Sequence, residues 1–209
     1  NGISSSTGLK YTVTTADASI AAGDYCVPSY FVAGIDYEKY HGRQVTIFFD
    51  VRFKKGAGSS LTAPYTASIA LTNSGYNRSY STPYTITADD TFQRITKTIT
   101  LDSTGTWLFT ETGIGLRIMF TQVCGSTFQA VSDDTWEAAN KLGSATQDNL
   151  ADAVDNEFEV RNFGVVLGSV APTFSSPLIS IVKAEVERYV ELLDYTTGNH
   201  IGVGQNFNT

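Results

Sequence analysis

The feature that most constrains the fold of this chain is an alternation of apolar and polar residues along Gln44–Lys54. The positions of one parity are all apolar: Val45, Ile47, Phe49, Val51 and Phe53. The positions of the other parity are polar or charged, apart from Phe48. Because successive side chains of a β-strand point to opposite faces of the sheet, this pattern predicts a strand with one buried face.

Similar alternation recurs along the chain and predicts about eight strands. Residues 65–71 and 114–120 repeat the pattern clearly, and weaker candidates are residues 9–14, 25–32, 79–87, 93–101 and 158–167. Turn-forming residues separate them at 55–60, 73–75, 88–90 and 102–105. Short alternating strands with such turns are typical of an all-β protein, and we predict an antiparallel β-sandwich of the jelly-roll type.

A long segment, residues 126–156, departs from the alternating pattern. It carries Trp136 and weak helical signals at residues 136–142 and 149–154. Loops of this length inside a compact domain are usually functional or interfacial. We therefore interpret it as an excursion between two strands with a role at the surface.

Residues 177–193 predict an α-helix that opens at Pro177, because proline is favoured in the first turn. Apolar side chains follow at spacings of three and four: Ile179, Val182, Val186, Tyr189 and Leu193. This seam indicates either a coiled-coil contact at a trimer interface or an amphipathic helix packed on its own sandwich. The sequence thus divides into a linker (1–8), a sandwich (9–176), this helix (177–193) and a polar tail (194–209) that is flexible or begins a further segment.

The charge and cysteine content exclude several classes of protein. The net charge is −7, and the 14 basic residues are scattered, which disfavours a nucleic-acid partner. We see no apolar run of about 20 residues, so no membrane insertion is predicted. Cys26 and Cys124 are too few for a disulfide framework, and we favour two small buried residues over one bridge.

We find no arrangement of residues that predicts catalysis or metal binding. The only histidines, His41 and His200, lie in a turn and in the polar tail. The carboxylate pairs Asp89-Asp90 and Asp133-Asp134 are of the type that glycosidases use, but both lie in predicted turns, where such residues are usually solvated or bind the backbone. We therefore predict a protein that is not an enzyme and needs no metal or cofactor.

Carbohydrate recognition has a different signature, in which exposed aromatic rings lie beside amide and charged groups. The candidates for glycan binding are Tyr76, Asn77, Arg78, Tyr80, Trp107 and Trp136, which lie in or beside turns or in the long excursion. Each aromatic residue has an alternative role in the core or in an interface. The pattern favours a carbohydrate-binding role for the domain more than it identifies any one of these residues.

The order of several segments resembles a carbohydrate-binding-like domain of phage tail fibres and related bacterial tail-fibre-like adhesins. The similar segments are residues 30–34, 41–46, 49–52, 77–80, 84–86, 98–102, 105–107, 124–129, 158–160 and 165–174, followed by the helix around residues 187–189. The resemblance implies a jelly-roll domain assembled as a homotrimer. It further implies an extracellular location, on a virion tail-fibre tip or a bacterial cell surface, where the domain binds a glycan or other receptor.

Two alternative functions remain open at this point. The domain could be a structural connector that trimerises a fibre without binding a receptor. The other alternative is a polysaccharide-degrading enzyme that uses Asp89, Asp90, Asp133 or Asp134.

Overall fold

A computed structural model describes residues 8–56 and 64–173 of the chain. The chain divides into one unit that ends at Ala171 and a second that begins at Pro172. The predicted linker up to residue 7, the predicted helix of residues 177–193 with its apolar seam, and the polar tail all lie outside the described residues.

The all-β fold predicted from the alternation is confirmed. The strands are β1 (Leu9–Thr12), β2 (Tyr25–Cys26), β3 (Ser29–Ala33), β4 (Gln44–Lys54), β5 (Tyr65–Thr72), β6 (Ser79–Ile86), β7 (Gln93–Thr100), β8 (Ile114–Thr121), β9 (Val123–Cys124), β10 (Trp136–Glu137) and β11 (Glu157–Leu167). A one-turn helix, α1 (Gly34–Tyr37), follows β3. The predicted strand at 25–32 is two strands, β2 and β3, because Pro28 between them has no N–H to continue the ladder.

Nine of the described strands form two sheets with jelly-roll connectivity, and β2 and β9 form a separate two-stranded ladder. One sheet has the order β1-β11-β4-β7 and the other β10-β6-β5-β8-β3. Eight of the strands pair antiparallel in a nested way, β1 with β11, β3 with β8, β4 with β7 and β5 with β6. This nesting is what results when one long hairpin is rolled into two facing sheets, and it confirms the predicted architecture.

The core lies between the two sheets and is rich in aromatic residues. Phe49 of β4 meets Tyr84 and Phe120 of the opposite sheet edge-to-face, with ring centroids 5.3 and 5.2 Å apart. Phe53 stacks on Tyr65 with centroids 3.9 Å apart. These are residues of the parity that the alternation placed inward, so the period-two pattern correctly predicts the buried face.

Phe48, the exception to the alternation, lies on the outer face of β4 and is nevertheless buried. Its partner across the ladder is Gly164 of β11, which follows a bulge. A Cβ atom at position 164 would lie 2.4 Å from Cζ of Phe48, so the ring occupies the space that the glycine leaves. The guanidinium of Arg94 covers the same ring, 5.0 Å from its centroid. A glycine and a cation thus bury an outward aromatic residue.

The long excursion covers the outer face of the five-stranded sheet. Its Leu142 packs on Ala70, Met119 and Cys124 in a second, smaller apolar cluster. The helix suggested at residues 136–142 is wrong, because this segment begins as β10 and pairs with β6. The second helical signal, at residues 149–154, corresponds to a single 3₁₀ turn at Leu150–Asp152.

The two cysteines are free thiols, so the alternative of a disulfide is not realised. Cys124 is buried as predicted, whereas Cys26 is exposed, which corrects the prediction that both are buried. In the β2–β9 ladder Cys26 faces Val123, and Cys124 faces Tyr25. Since neighbouring residues on a strand point to opposite faces, the two thiols point away from each other.

We expect an alkylating reagent to distinguish the two cysteines in the folded protein. Iodoacetamide at neutral pH should modify Cys26 slowly and leave Cys124 unmodified until the protein is denatured. Burial raises the pKa of both thiols, that of Cys124 to about 11, and the thiolate is the reactive form. Peptide mass spectrometry checks this, and equal labelling of both residues under native conditions would contradict it.

No helix among the described residues is long and apolar enough to cross a membrane.

Candidate functional site

Two loops meet at one end of the sandwich. Residues 73–78, called here the Tyr76 loop, join β5 to β6, and residues 101–113 join β7 to β8. Strand β10 pairs with the start of β6, and the indole N–H of Trp136 donates to the carbonyl of Thr100 at the end of β7, at 2.9 Å. The fold therefore gathers all six predicted glycan-site residues at this end.

The Tyr76 loop is organised around the side chain of Asn73, which is only 1% exposed. Its Oδ1 accepts hydrogen bonds from the backbone N–H groups of Asn77 and Arg78, at 3.0 and 3.2 Å. Its Nδ2 donates to Oδ1 of Asn77 at 2.6 Å and to the carbonyl of Thr106 at 2.9 Å. All four contacts of this amide group are made with the Tyr76 loop itself or with the neighbouring loop of residues 101–113. Asn73 thus ties the two loops together.

An ion pair between the half-buried Arg78 and the buried Asp102 makes a second tie between the same loops. Oδ1 of Asp102 also accepts from the N–H and the hydroxyl of Thr104, at 2.9 and 2.8 Å. Burial raises the pKa of Asp102, but the bonds from Thr104 and Arg78 outweigh burial and lower that pKa below its ordinary value. Asp102 is therefore ionised at neutral pH, and the charge of Arg78 is neutralised within the fold.

Gly105 lies in the turn directly after Thr104. Its backbone has φ of +83°, and it lies against the aliphatic part of the Arg78 side chain. A Cβ atom there would approach Cγ of Arg78 to 2.7 Å. The turn therefore requires glycine both for its dihedral angle and for its close approach to the Tyr76 loop.

Tyr80, Trp107 and Trp136 form one aromatic cluster beneath the loops. The Trp136 ring lies 5.4 Å from Tyr80 and 5.8 Å from Trp107, measured between centroids. Trp107 is only 7% exposed, and its indole N–H donates to the carbonyl of Thr104 at 2.8 Å. Tyr80 is also buried, while Trp136 is half-buried. The structure thus places Tyr80 and Trp107 as packing elements that support the loops from below.

Tyr76 differs from those three residues, because its side chain is 39% exposed. Its backbone has φ of +55°, a left-handed conformation that is unfavourable for a bulky residue. On one side its ring lies over the guanidinium of Arg117, 4.0 Å from the centroid. Asn77 next to it is exposed as well. Residues kept in unfavourable backbone conformations are concentrated at functional sites. Tyr76 is therefore the leading candidate for a ligand-binding residue at this end of the sandwich.

Arg117 of β8 and Phe31 of β3 belong to the same surface, although the sequence analysis did not identify them. The two residues face each other across the β3–β8 ladder, and the Phe31 ring lies 5.9 Å from the guanidinium. Phe31 is 54% exposed. Arg117 was recognisable as the single charged residue in an otherwise uncharged strand, IGLRIMFT. Phe31 lacked a comparable signal, because an aromatic residue suits either face of a strand.

The groups considered for catalysis have structural partners. Asp89 accepts from the backbone N–H of Lys55 at 2.9 Å, and Asp90 pairs with Arg52. Asp133 accepts from the hydroxyl of Ser144 at 2.7 Å, and Asp134 from that of Tyr80 at 3.3 Å.

The histidine and metal candidates complete this survey. His41 lies against Trp107 and Phe109, with ring centroids 6.0 and 5.1 Å away, and His200 is outside the described residues. Within the described part of the chain, no group of three or more His, Cys, Asp or Glu residues is placed to hold a metal ion.

Comparison with known proteins adds no further assignment: no protein-family model matches the sequence, no curated protein is significantly similar to it, and no solved structure significantly resembles the fold. The resemblance to tail-fibre domains therefore stays a prediction from the sequence.

Proposed function

We propose that this chain is the receptor-binding tip domain of a trimeric, tail-fibre-like adhesin, and that it binds a cell-surface glycan through Tyr76, Phe31 and Asn77. The observation that carries the proposal is the presentation of Tyr76. Its exposed ring sits on a loop that Asn73 and Arg117 hold rigid, in a backbone conformation that costs free energy. A rigid, exposed ring offers contact area with little loss of conformational entropy on binding.

The chemistry of this surface suits a sugar. A pyranose ring has apolar C–H faces that pack on aromatic rings and hydroxyl groups that need hydrogen-bonding partners at the edge. Tyr76 and Phe31 supply two exposed rings. The exposed Asn77 and Gly75 supply amide and backbone groups beside them. A shallow site of this kind binds a single sugar weakly.

Trimeric assembly offsets weak individual binding. Linking three copies raises the effective concentration of each site, so that avidity exceeds the affinity of one site without new contacts. The trimer and its extracellular location, on a virion tail fibre or a bacterial surface, are part of the proposal and follow from the tail-fibre resemblance. Light scattering of the purified full chain tests the trimer, and a glycan array tests binding. A strictly monomeric chain or an array without any signal counts against the proposal.

The variant Tyr76→Gly separates recognition from stability. Glycine relieves the left-handed backbone strain by about 1 kcal/mol, and loss of the ring removes a cation–π contact of about the same size. We therefore expect the free energy of unfolding to stay within about 1 kcal/mol of wild type, while glycan binding falls at least about tenfold. Array binding and urea unfolding measure the two effects.

A matched control for this variant is Tyr25→Ala. Tyr25 is also an exposed tyrosine, but it lies on β2 and contacts Phe128. Its replacement should leave glycan binding unchanged. Equal loss of binding in both variants would show that Tyr76 has no special role.

The same experiments separate the alternative functions. A trimer that binds no glycan would favour the structural connector. Release of new reducing ends from a bound polysaccharide would favour an enzyme, and Asp133→Asn or Asp89→Asn would then identify the carboxylate pair involved.

A further inference from the structure

Arg117 is unusual among the arginines that the structure describes, because it is buried and pairs with none of the described acidic residues. The side chains of Arg52, Arg78, Arg94 and Arg161 each have a carboxylate oxygen within 4.0 Å. Arg117 is 9% exposed, and its partners are two backbone carbonyls and two aromatic rings.

The hydrogen bonds that Arg117 makes with described residues use only one of its three guanidinium nitrogen atoms. Nη1 donates to the carbonyls of Asn73 and Ser74, both at 2.8 Å. Nε and Nη2 make no hydrogen bond with any other residue that the structure describes. The residue keeps 9% of its surface exposed, and it lies beside the exposed rings of Tyr76 and Phe31. An arginine has five N–H donors, and the ones that remain lie on the edge best suited to a bidentate anion.

The position of these donors coincides with the surface proposed for glycan binding. The guanidinium lies 4.0 Å from the Tyr76 ring centroid and 5.9 Å from that of Phe31, and both rings are exposed. A buried charge that lacks a counter-charge carries a desolvation cost, and an anion that reaches it recovers part of that cost. Because the chain carries a net charge of −7, long-range attraction does not draw anions to this protein. Any preference for an anion must come from Arg117 at short range.

We propose that this site selects acidic glycans, in which a carboxylate or phosphate group on the sugar accepts hydrogen bonds from Nε and Nη2 of Arg117 while the sugar packs on Tyr76 and Phe31. This inference rests on the proposed glycan-binding function and narrows its ligand class. Charge-assisted bonds are about twice as strong as neutral ones, so the anionic group contributes a large share of the affinity. Arg117 is then a binding residue as well as a support for the Tyr76 loop.

The test compares ligands that differ only in charge, with the full chain and isothermal titration. The probes are a neutral glucose disaccharide, the same disaccharide with its terminal glucose replaced by glucuronic acid, and its 6-phosphate. We expect at least one of the two acidic probes to bind about tenfold more tightly than the neutral one. The better acidic probe identifies whether a carboxylate or a phosphate is preferred.

Variants at position 117 check that Arg117 is responsible for the preference. Arg117→Gln removes the charge and keeps a donor for the loop carbonyls, and it should reduce the difference between acidic and neutral probes to less than twofold. Arg117→Lys keeps the charge and should retain part of the difference. If Arg117→Gln fails to fold, the ligand comparison on the wild-type protein still decides.

The outcomes distinguish this inference from the proposed function on which it rests. Equal affinity of the wild-type protein for neutral and acidic probes overturns the preference for acidic glycans and leaves glycan binding intact. A preference that survives in Arg117→Gln overturns the role of Arg117. Binding of none of these probes, together with an array that shows no glycan bound, overturns both.

Discussion

Replacement of Asp102 by alanine is expected to lower the free energy of unfolding by about 3 kcal/mol and to abolish glycan binding at the Tyr76 loop. Asp102 is 8% exposed and pairs with Arg78, whose backbone belongs to that loop. Truncation leaves the guanidinium of Arg78 half-buried without its counter-charge and removes the acceptor of the two bonds from Thr104. The two loops then lose one of the two ties that join them.

Asp102→Asn gives a graded result and shows which part of the effect is electrostatic. The asparagine keeps an oxygen for Thr104 and loses the negative charge, so we expect about half of the alanine effect. Glu111→Ala, an exposed acidic residue in the same connection between β7 and β8, should change stability by less than about 0.5 kcal/mol. A loss at Glu111 that equals the loss at Asp102 would contradict the argument.

The contribution of Asp102 should also depend on pH. Its folded pKa lies below the ordinary value near 4, so ionised Asp102 stabilises the folded state at neutral pH, and this stabilisation is lost as pH falls through the folded pKa. The difference in unfolding free energy between wild type and Asp102→Asn should therefore be full above about pH 5 and shrink below about pH 4. Urea unfolding followed by tryptophan fluorescence measures it, because Trp107 and Trp136 lie beneath these loops.

The strands of this protein were predictable because most of them have one face in the core. In β4 the buried parity, Val45 to Phe53, is a property of the sequence alone. Phe48 could not be placed in this way, since its burial depends on Gly164, more than a hundred positions away. The helix predicted at residues 136–142 was wrong for a related reason. The conformation of this segment is set by pairing with β6 and by the bond from the N–H of Lys141 to Ser79, which no local pattern reveals.

The sequence predicted most of the residues that lie at the candidate site. It did not predict which of them are exposed and which are buried supports. Tyr76, Asn77 and Trp107 were identified because turns concentrate exposed polar and aromatic residues. Only tertiary contacts show that Trp107 is buried while Tyr76 is exposed. Arg117 and Phe31 join the site because β3 pairs with β8, and this pairing brings together residues that are far apart in the chain.

Asn73 has a position in the Tyr76 loop comparable to that of a cap in a helix, since one side chain satisfies several backbone groups. Asn73→Ala removes its bonds to the N–H groups of Asn77 and Arg78, to the Asn77 side chain and to the carbonyl of Thr106. At about 1 kcal/mol for each of these four bonds, we expect a loss of about 4 kcal/mol in the free energy of unfolding.

We expect Asn73→Ala to affect glycan binding more strongly than it affects the stability of the fold. The bonds from Arg117 to the loop carbonyls remain in Asn73→Ala, but the side chain that binds the N–H groups following Tyr76 is lost. The left-handed conformation of Tyr76 is then less well supported, so the ring should leave its position over Arg117 and glycan binding should fall beyond detection. Asn73→Asp retains the acceptor for both N–H groups and should keep part of the binding, whereas Asn77→Ala loses one bond through its side chain and should cost about 1 kcal/mol. If Asn73→Ala bound glycan as wild type does, a rigid loop would not be required, and the proposal that Tyr76 is held ready for its ligand would fail.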